Sequence, residues 1–244
     1  MVRRLFFGIF FVILFTSISA HGAEDISFKG TNKSTSGEPL TLTGKLYKPK
    51  GDYAFPAVLI MHDCAGIHKG TIKWAEKISS WNYVTLILDS FGPRGQANVC
   101  EKLDAVTFHG RVRDAFDAKA YLSQLPFVNP KRIGIMGMSH GACTTLASLS
   151  QSNLERMFWF QGGGSEVPLL SDYLKQTGPF QVAIALYPWC AASLKDNESP
   201  LLILIGDKDT WTPASFCKTY MPNERTKHEI VLKIYEGGTH PLTH

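Results

Sequence analysis

The stretch Ile133-Gly-Ile-Met-Gly-Met-Ser-His-Gly-Ala142 leads from an apolar strand through the pentapeptide Gly137 to Gly141, a G-x-S-x-G, into a helix-like segment ending near Leu149. A strand that turns directly into a helix forces the central serine into a tight elbow. The glycines on either side remove side chains that would clash, so the Ser139 hydroxyl projects from the C-terminal edge of a sheet. Such a position suits a nucleophile. The competing reading is a glycine-rich turn that happens to hold a serine, and the rest of the chain has to decide between them.

At the N-terminus, Arg3 and Arg4 precede an apolar run from Leu5 to Phe15 and then the small residues Thr16, Ser17, Ser19 and Ala20. This is the order of a basic region, an apolar core and a cleavage zone, and the run is too short for a comfortable membrane span of ~20 residues. We therefore expect residues 1–20 to be a secretory signal peptide, cut after Ala20, with Ser19 and Gly22 as further possible cleavage points. An uncleaved anchor is the alternative. The paired arginines resemble a twin-arginine signal, but so apolar a core favours general secretion. The mature protein is then periplasmic or secreted, with no stable membrane association once the signal is removed.

The formal net charge of +4 loses Arg3 and Arg4 with the signal, leaving +2. So small a charge gives no electrostatic footprint for nucleic acid or an anionic membrane. Residues 21–244 contain no linker, repeat or low-complexity tract, and a chain of this length fits one α/β domain. All five cysteines, Cys64, Cys100, Cys143, Cys190 and Cys217, lie in that part. In an oxidising compartment disulfides become plausible and the odd number leaves a thiol over. Spacing does not fix connectivity, and five buried thiols is the alternative. Our expected pairs are Cys190 with Cys217 and Cys64 with Cys100, leaving Cys143, one helical turn beyond Ser139.

Patterning along the chain alternates between strand and helix. Residues 40–47 alternate with period two up to Pro49, as expected of a half-exposed antiparallel strand at a sheet edge. Residues 57–61 form a continuous apolar run, as in a strand covered on both faces. A helix over 71–80, a strand over 83–88 and a helix over 104–125 follow, the last stopping at Pro126. After the elbow strand (132–138) come strands at 181–186 and 201–205, a helix over 213–220 and a strand over 229–235. This order implies a mainly parallel, doubly wound sheet flanked by helices.

Ligands of such sheets sit at the carboxyl ends of the strands. His62, Asp63, Asp89, Ser139, Asp207, Asp209 and His240 all fall there. The run Phe160-Gln-Gly-Gly-Gly-Ser165 resembles a phosphate loop only superficially, because it follows a helix and lacks the Lys-Ser/Thr ending, and it reads as a mobile connection bordering the site. His62, Asp63, Cys64 and His68 have no matching second ligand pair, so no metal is expected. No other cofactor is implied.

A serine hydroxyl at neutral pH attacks poorly until an imidazole takes its proton, and the imidazole needs a carboxylate to fix its tautomer. Ser139 precedes Gly206-Asp-Lys-Asp209, which precedes Gly237-Gly-Thr-His240, and this serine, acid, histidine order is that of the α/β hydrolases.

With Leu59-Ile-Met-His-Asp-Cys-Ala-Gly66, Leu88-Asp-Ser-Phe-Gly-Pro-Arg-Gly95, Ile205-Gly-Asp-Lys-Asp-Thr-Trp-Thr-Pro213 and Tyr235-Glu-Gly-Gly-Thr-His240, the chain resembles the dienelactone hydrolase family. The resemblance implies an α/β-hydrolase fold, Ser139 as nucleophile, His240 as base and Asp209, with Asp207 as fallback, as acid. It also implies an oxyanion hole made by the backbone N–H groups of His140 and Cys64, and Arg94 as a candidate holder of a substrate carboxylate. A structural ion pair is the competing role for Arg94. Family members of the dienelactone type use a cysteine nucleophile, so serine here points to broader ester hydrolysis. The fold usually adds a helix after the histidine loop, and because the sequence stops at His244 we expect either a truncated or a compact end there.

The expectation is an exported serine hydrolase acting on a small-molecule ester or lactone through an acyl-enzyme. Acyl transfer or peptide cleavage on the same triad, and a catalytically silent binding protein, are the alternatives. The oligomeric state is not legible.

Overall fold

The structure, a computed structural model, describes residues 22–34, 36–222 and 226–240. The expected signal peptide lies outside them. The strands are β1 (Glu24–Lys33), β2 (Pro39–Tyr47), β3 (Phe55–Met61), β4 (Val84–Asp89), β5 (Val128–Met138), β6 (Ala183–Leu186), β7 (Leu201–Gly206) and β8 (Ile230–Tyr235). They form one sheet in the order β1-β2-β4-β3-β5-β6-β7-β8. β1 with β2 and β2 with β4 are antiparallel, and every pairing from β4 to β8 is parallel.

The helices are α1 (Lys69–Ser80), α2 (Phe108–Gln124), α3 (His140–Ala147), α4 (Gln151–Phe160), α5 (Leu170–Thr177) and α6 (Ala214–Tyr220). From β3 to β4 the chain steps one way across the sheet and from β4 to β5 it steps back. Right-handed crossovers therefore put α1 on one face and α2 and α3 on the other. In keeping with this, α2 and α3 pack against each other and against β5, while α1 packs on β4. Sandwiched strands need apolar side chains on both faces. The Leu59-Ile-Met61 and Leu86-Ile-Leu88 runs are fully buried. β8, at the far edge, alternates half-buried Ile230, Leu232 and Ile234 with exposed residues.

Three features differ from the sequence reading. β2 is not the edge, because β1 lies outside it, tied to α2 where Asp117 accepts from the Thr31 backbone N–H at 2.7 Å. β1 buries only Ile26 and Gly30, too faint an alternation to read. α2 starts at Phe108 rather than Asp104, because the Thr107 hydroxyl caps it by accepting from Gly110 N–H at 3.2 Å. Val106, read as part of that helix, packs instead with Cys64, Phe91 and Val99 in a small separate cluster. α5, the third difference, had no place in the sequence reading.

Candidate active site

Ser139 joins the end of β5 to the start of α3 with φ 49° and ψ −114°, a conformation that non-glycine residues rarely adopt. The crowding around it accounts for both glycines. A Cβ on Gly137 would lie 2.2 Å from the Gly141 carbonyl oxygen, and one on Gly141 would lie 2.0 Å from that of Met61. Every residue of α3 is buried, so the elbow rests on a fixed base.

His240, after β8, reaches back to this serine. Its Nε2 is 3.0 Å from Ser139 Oγ, and its Nδ1 is 2.8 Å from Asp209 Oδ2. Asp209 is itself held. Its Oδ1 accepts from the backbone N–H groups of Trp211 at 2.9 Å and Thr212 at 2.8 Å, and its Oδ2 accepts from the Thr212 hydroxyl at 2.8 Å. Held by those donors, the carboxylate aims one oxygen at the imidazole, which sets the proton on Nδ1 and leaves Nε2 to accept from serine. Trp211 stacks on His240 at 5.6 Å between ring centroids, and the buried Tyr187 ring meets it edge-on at 4.7 Å. Asp207, the fallback acid, is exposed and accepts from Gly237 N–H at 2.8 Å, bracing the histidine loop from outside.

The backbone N–H groups of His140 and Cys64 have no acceptor among the described residues. His140 opens α3, where the first N–H groups of a helix always lack an internal partner. Beneath these two positions lies a residue that the sequence reading missed. Arg111, in α2, is completely buried and donates to His140 Nδ1 at 2.5 Å and to the His62 carbonyl at 2.8 Å, with its guanidinium 4.8 Å from the Phe91 ring centroid. One side chain thus ties together the loops carrying His140 and Cys64. Because Arg111 donates, His140 Nδ1 is the unprotonated nitrogen. Burial first, and then the Arg111 charge, push the His140 and His62 imidazoles well below their ordinary pKa. Burial likewise lowers Arg111 to about 10. An arginine inside a helix pattern carries no sign in sequence that it will be buried.

Arg94 does not face the site. Its guanidinium makes a two-pronged bond to Asp114, at 2.8 and 2.9 Å, and donates to the Ser90 carbonyl at 2.7 Å. Asp114 is fully buried, so this arginine is spent neutralising it rather than reading a substrate. The side chains once weighed as metal ligands are also engaged. Asp63 bonds His68 Nε2 at 2.8 Å, His68 caps α1, and Cys64 is in a disulfide.

The disulfides are Cys64–Cys100 and Cys190–Cys217, and Cys143 is a buried free thiol that burial raises to about 11. A cavity of about 300 Å³ opens over Ser139, with walls that include Leu103, Phe108, Phe160, Trp189, Trp211 and Phe216. Phe160 ends α4, where the glycine-rich loop expected to border the site begins. Gln161 next to it ties that loop down, accepting from Phe108 N–H at 2.5 Å and donating to the Leu103 carbonyl at 2.8 Å. Among the described residues, no helix is long and apolar enough to cross a membrane.

A mainly parallel sheet with a serine elbow after β5, a held carboxylate after β7 and a histidine after β8 defines an α/β hydrolase. The fold matches that of a candidate dienelactone hydrolase from Klebsiella pneumoniae with a TM-score of 0.61 at 17% identity, covering 89% of this chain and 88% of that one. It also matches Thermogutta terrifontis esterase 2, a structure phosphorylated by paraoxon, with a TM-score of 0.56 at 15% identity, covering 91% and 85%. The thiohydrolase aneE of Aspergillus aculeatus is 29% identical over 111 residues, 45% of this chain, which spans about a third (33%) of that relative's length. The family model of the dienelactone hydrolase family matches residues 42–244. The chain belongs to that family.

Proposed function

We propose that the protein is an exported serine hydrolase that cleaves a carboxylic ester or lactone through an acyl-enzyme on Ser139, Asp209 and His240. The observation that carries this reading is the unbroken relay from Asp209 Oδ2 to His240 Nδ1 and from His240 Nε2 to Ser139 Oγ, at 2.8 and 3.0 Å. Ser139 Oγ bonds to the carbonyl carbon while His240 Nε2 takes its proton. The oxyanion accepts from the N–H groups of His140 and Cys64, then the bond to the leaving oxygen breaks and the alcohol departs with the proton from His240. Water attacks the acyl-enzyme with His240 as base, releasing the acid and restoring the serine.

Export rests on the basic, apolar and small-residue order of residues 1–20, and on two disulfides, which persist in oxidising compartments. Residues 21–244 act as one domain, since the described strands share a single sheet. A second reading, thioester cleavage, is favoured by the similarity to the Aspergillus thiohydrolase. The same relay serves it, with a thiol as leaving group.

A fluorescent organophosphonate tests the reading. Covalent labelling of the wild type at Ser139, mapped by mass spectrometry and lost in Ser139→Ala, is the expected result. An unlabelled wild type would mean a silent hydrolase fold that binds without turnover. Esters and thioesters of one acid, assayed side by side, rank the two readings.

A further inference from the structure

The cavity over Ser139 carries information about its occupant. Its side walls are aromatic. Trp189 lies edge-on to Phe160, with centroids 4.9 Å apart, and to Phe216 at 6.5 Å, while the Phe108 ring is stacked on His140 at 4.2 Å. At about 300 Å³ the space is at the lower end for small-molecule sites, which run from ~300 to 1,000 Å³, so it suits one ring rather than a long chain. Rings bounded by edges and faces favour a flat guest, which meets both in offset or edge-to-face contact.

Among the described residues, no lysine or arginine lines this space. Arg94 is locked to Asp114, and Arg111 lies behind His140 with both terminal nitrogens engaged. The Thr212 hydroxyl on the cavity wall is committed to Asp209 Oδ2 and lies 3.1 Å from the Tyr187 carbonyl. A carboxylate entering here would shed water and find nothing to replace it except the two N–H groups reserved for the oxyanion, and burying an unpaired charge is strongly unfavourable. At the mouth, Phe160, Phe216 and Trp211 remain 54%, 43% and 67% exposed, leaving apolar area for a bound ring to cover.

We propose that the substrate is an uncharged ester carrying a single aromatic ring, seated between Phe108, Trp189 and Phe216. The proposal rests on Ser139 being the nucleophile. It departs from recognition of an anionic lactone, for which the described residues place no free arginine in the cavity.

Three acetates with closely similar leaving groups isolate the effect: benzyl, cyclohexylmethyl and 4-carboxybenzyl acetate. The expected kcat/KM is about 5-fold higher for benzyl than for cyclohexylmethyl acetate, the size of an aromatic pairing preference. It is about 100-fold lower for the carboxylate, mostly through KM, as for a buried charge without a partner. Phe216→Arg, at the exposed mouth where the guanidinium stays in water, should raise 4-carboxybenzyl relative to benzyl acetate by about 10-fold, as a charge-assisted bond does. Trp189→Ala should bring the benzyl to cyclohexylmethyl ratio towards one. If organophosphonate labels Ser139 yet the three acetates are cleaved equally, or the carboxylate is preferred, or none is cleaved, the substrate proposal is overturned and the serine-hydrolase reading stands. Absence of labelling, with no acetate cleaved, overturns both.

Discussion

The Ser139 hydroxyl contributes a single atom to an elbow whose shape is set by backbone and glycines, so Ser139→Ala should leave the fold unchanged. We expect its esterase activity to fall by roughly 10³-fold or more with an unaltered melting temperature. Retained turnover would remove the central claim. The two aspartates after β7 allow an internal comparison. Asp209 is buried and bonded to His240, whereas Asp207 is exposed and braces Gly237. Asp209→Asn should therefore cost about 10⁴-fold in kcat by disturbing the imidazole tautomer, and Asp207→Asn less than about 10-fold. Kinetics of the two variants on one ester check the ranking, and the reverse order would identify Asp207 as the acid. Arg94 is a lesson at the same scale. Its loop position suits a substrate contact, but a buried carboxylate 20 residues away claims it first.

Among the elements, α2 has the most unusual task. It delivers Arg111 under the elbow and Asp114 to Arg94, and Asp114 also accepts from Asn32 at the end of β1 at 2.7 Å. One helix thereby couples the sheet edge, the loop after β4 and the elbow. Arg111→Met fills similar volume but leaves the His62 carbonyl and His140 Nδ1 buried without a donor. Loss of about 3 to 5 kcal/mol of stability is expected, the scale for breaking a buried charged contact. Chemical denaturation at neutral pH measures it, and Arg111→Lys should recover part of the loss. A change below about 0.5 kcal/mol would show that the cluster is only packed and not held by these bonds.

For the whole molecule, the buried imidazoles set the response to acid. His62 and His140 are held neutral by burial and by Arg111, and His109 is lowered more mildly, mainly by burial. In the unfolded chain each returns to an ordinary value of ~6.5. Below pH 6.5 the unfolded state binds protons that the folded state refuses, so stability is full above that pH and declines as pH falls. The expected slope is up to about 1.4 kcal/mol per pH unit for each histidine, between pH 6.5 and its depressed folded value. Melting temperatures from pH 7.5 to 4.5 follow it, and His140→Gln should flatten the decline by about one proton. An unchanged slope in that variant would place the acid sensitivity elsewhere.

Much of this was legible from residue order. The G-x-S-x-G elbow, the apolar runs of β3 and β4 and the succession of Ser139, Asp209 and His240 are local patterns, and each reports backbone geometry that neighbouring residues impose. The parallel sheet followed from their alternation, and the fold that resulted is that of the family. Other features have no local signature. β1 buries only Ile26 and Gly30, the start of α2 depends on the Thr107 cap, and Val106 leaves the helix pattern for a loop cluster. Above all, whether an arginine reads a substrate or serves the fold depends on which carboxylate or carbonyl the chain brings beside it. Arg94 and Arg111 are equivalent as letters. Only the packing of α2 against the sheet gives one to Asp114 and buries the other beneath the elbow, because desolvating a charge requires partners that come from distant parts of the chain.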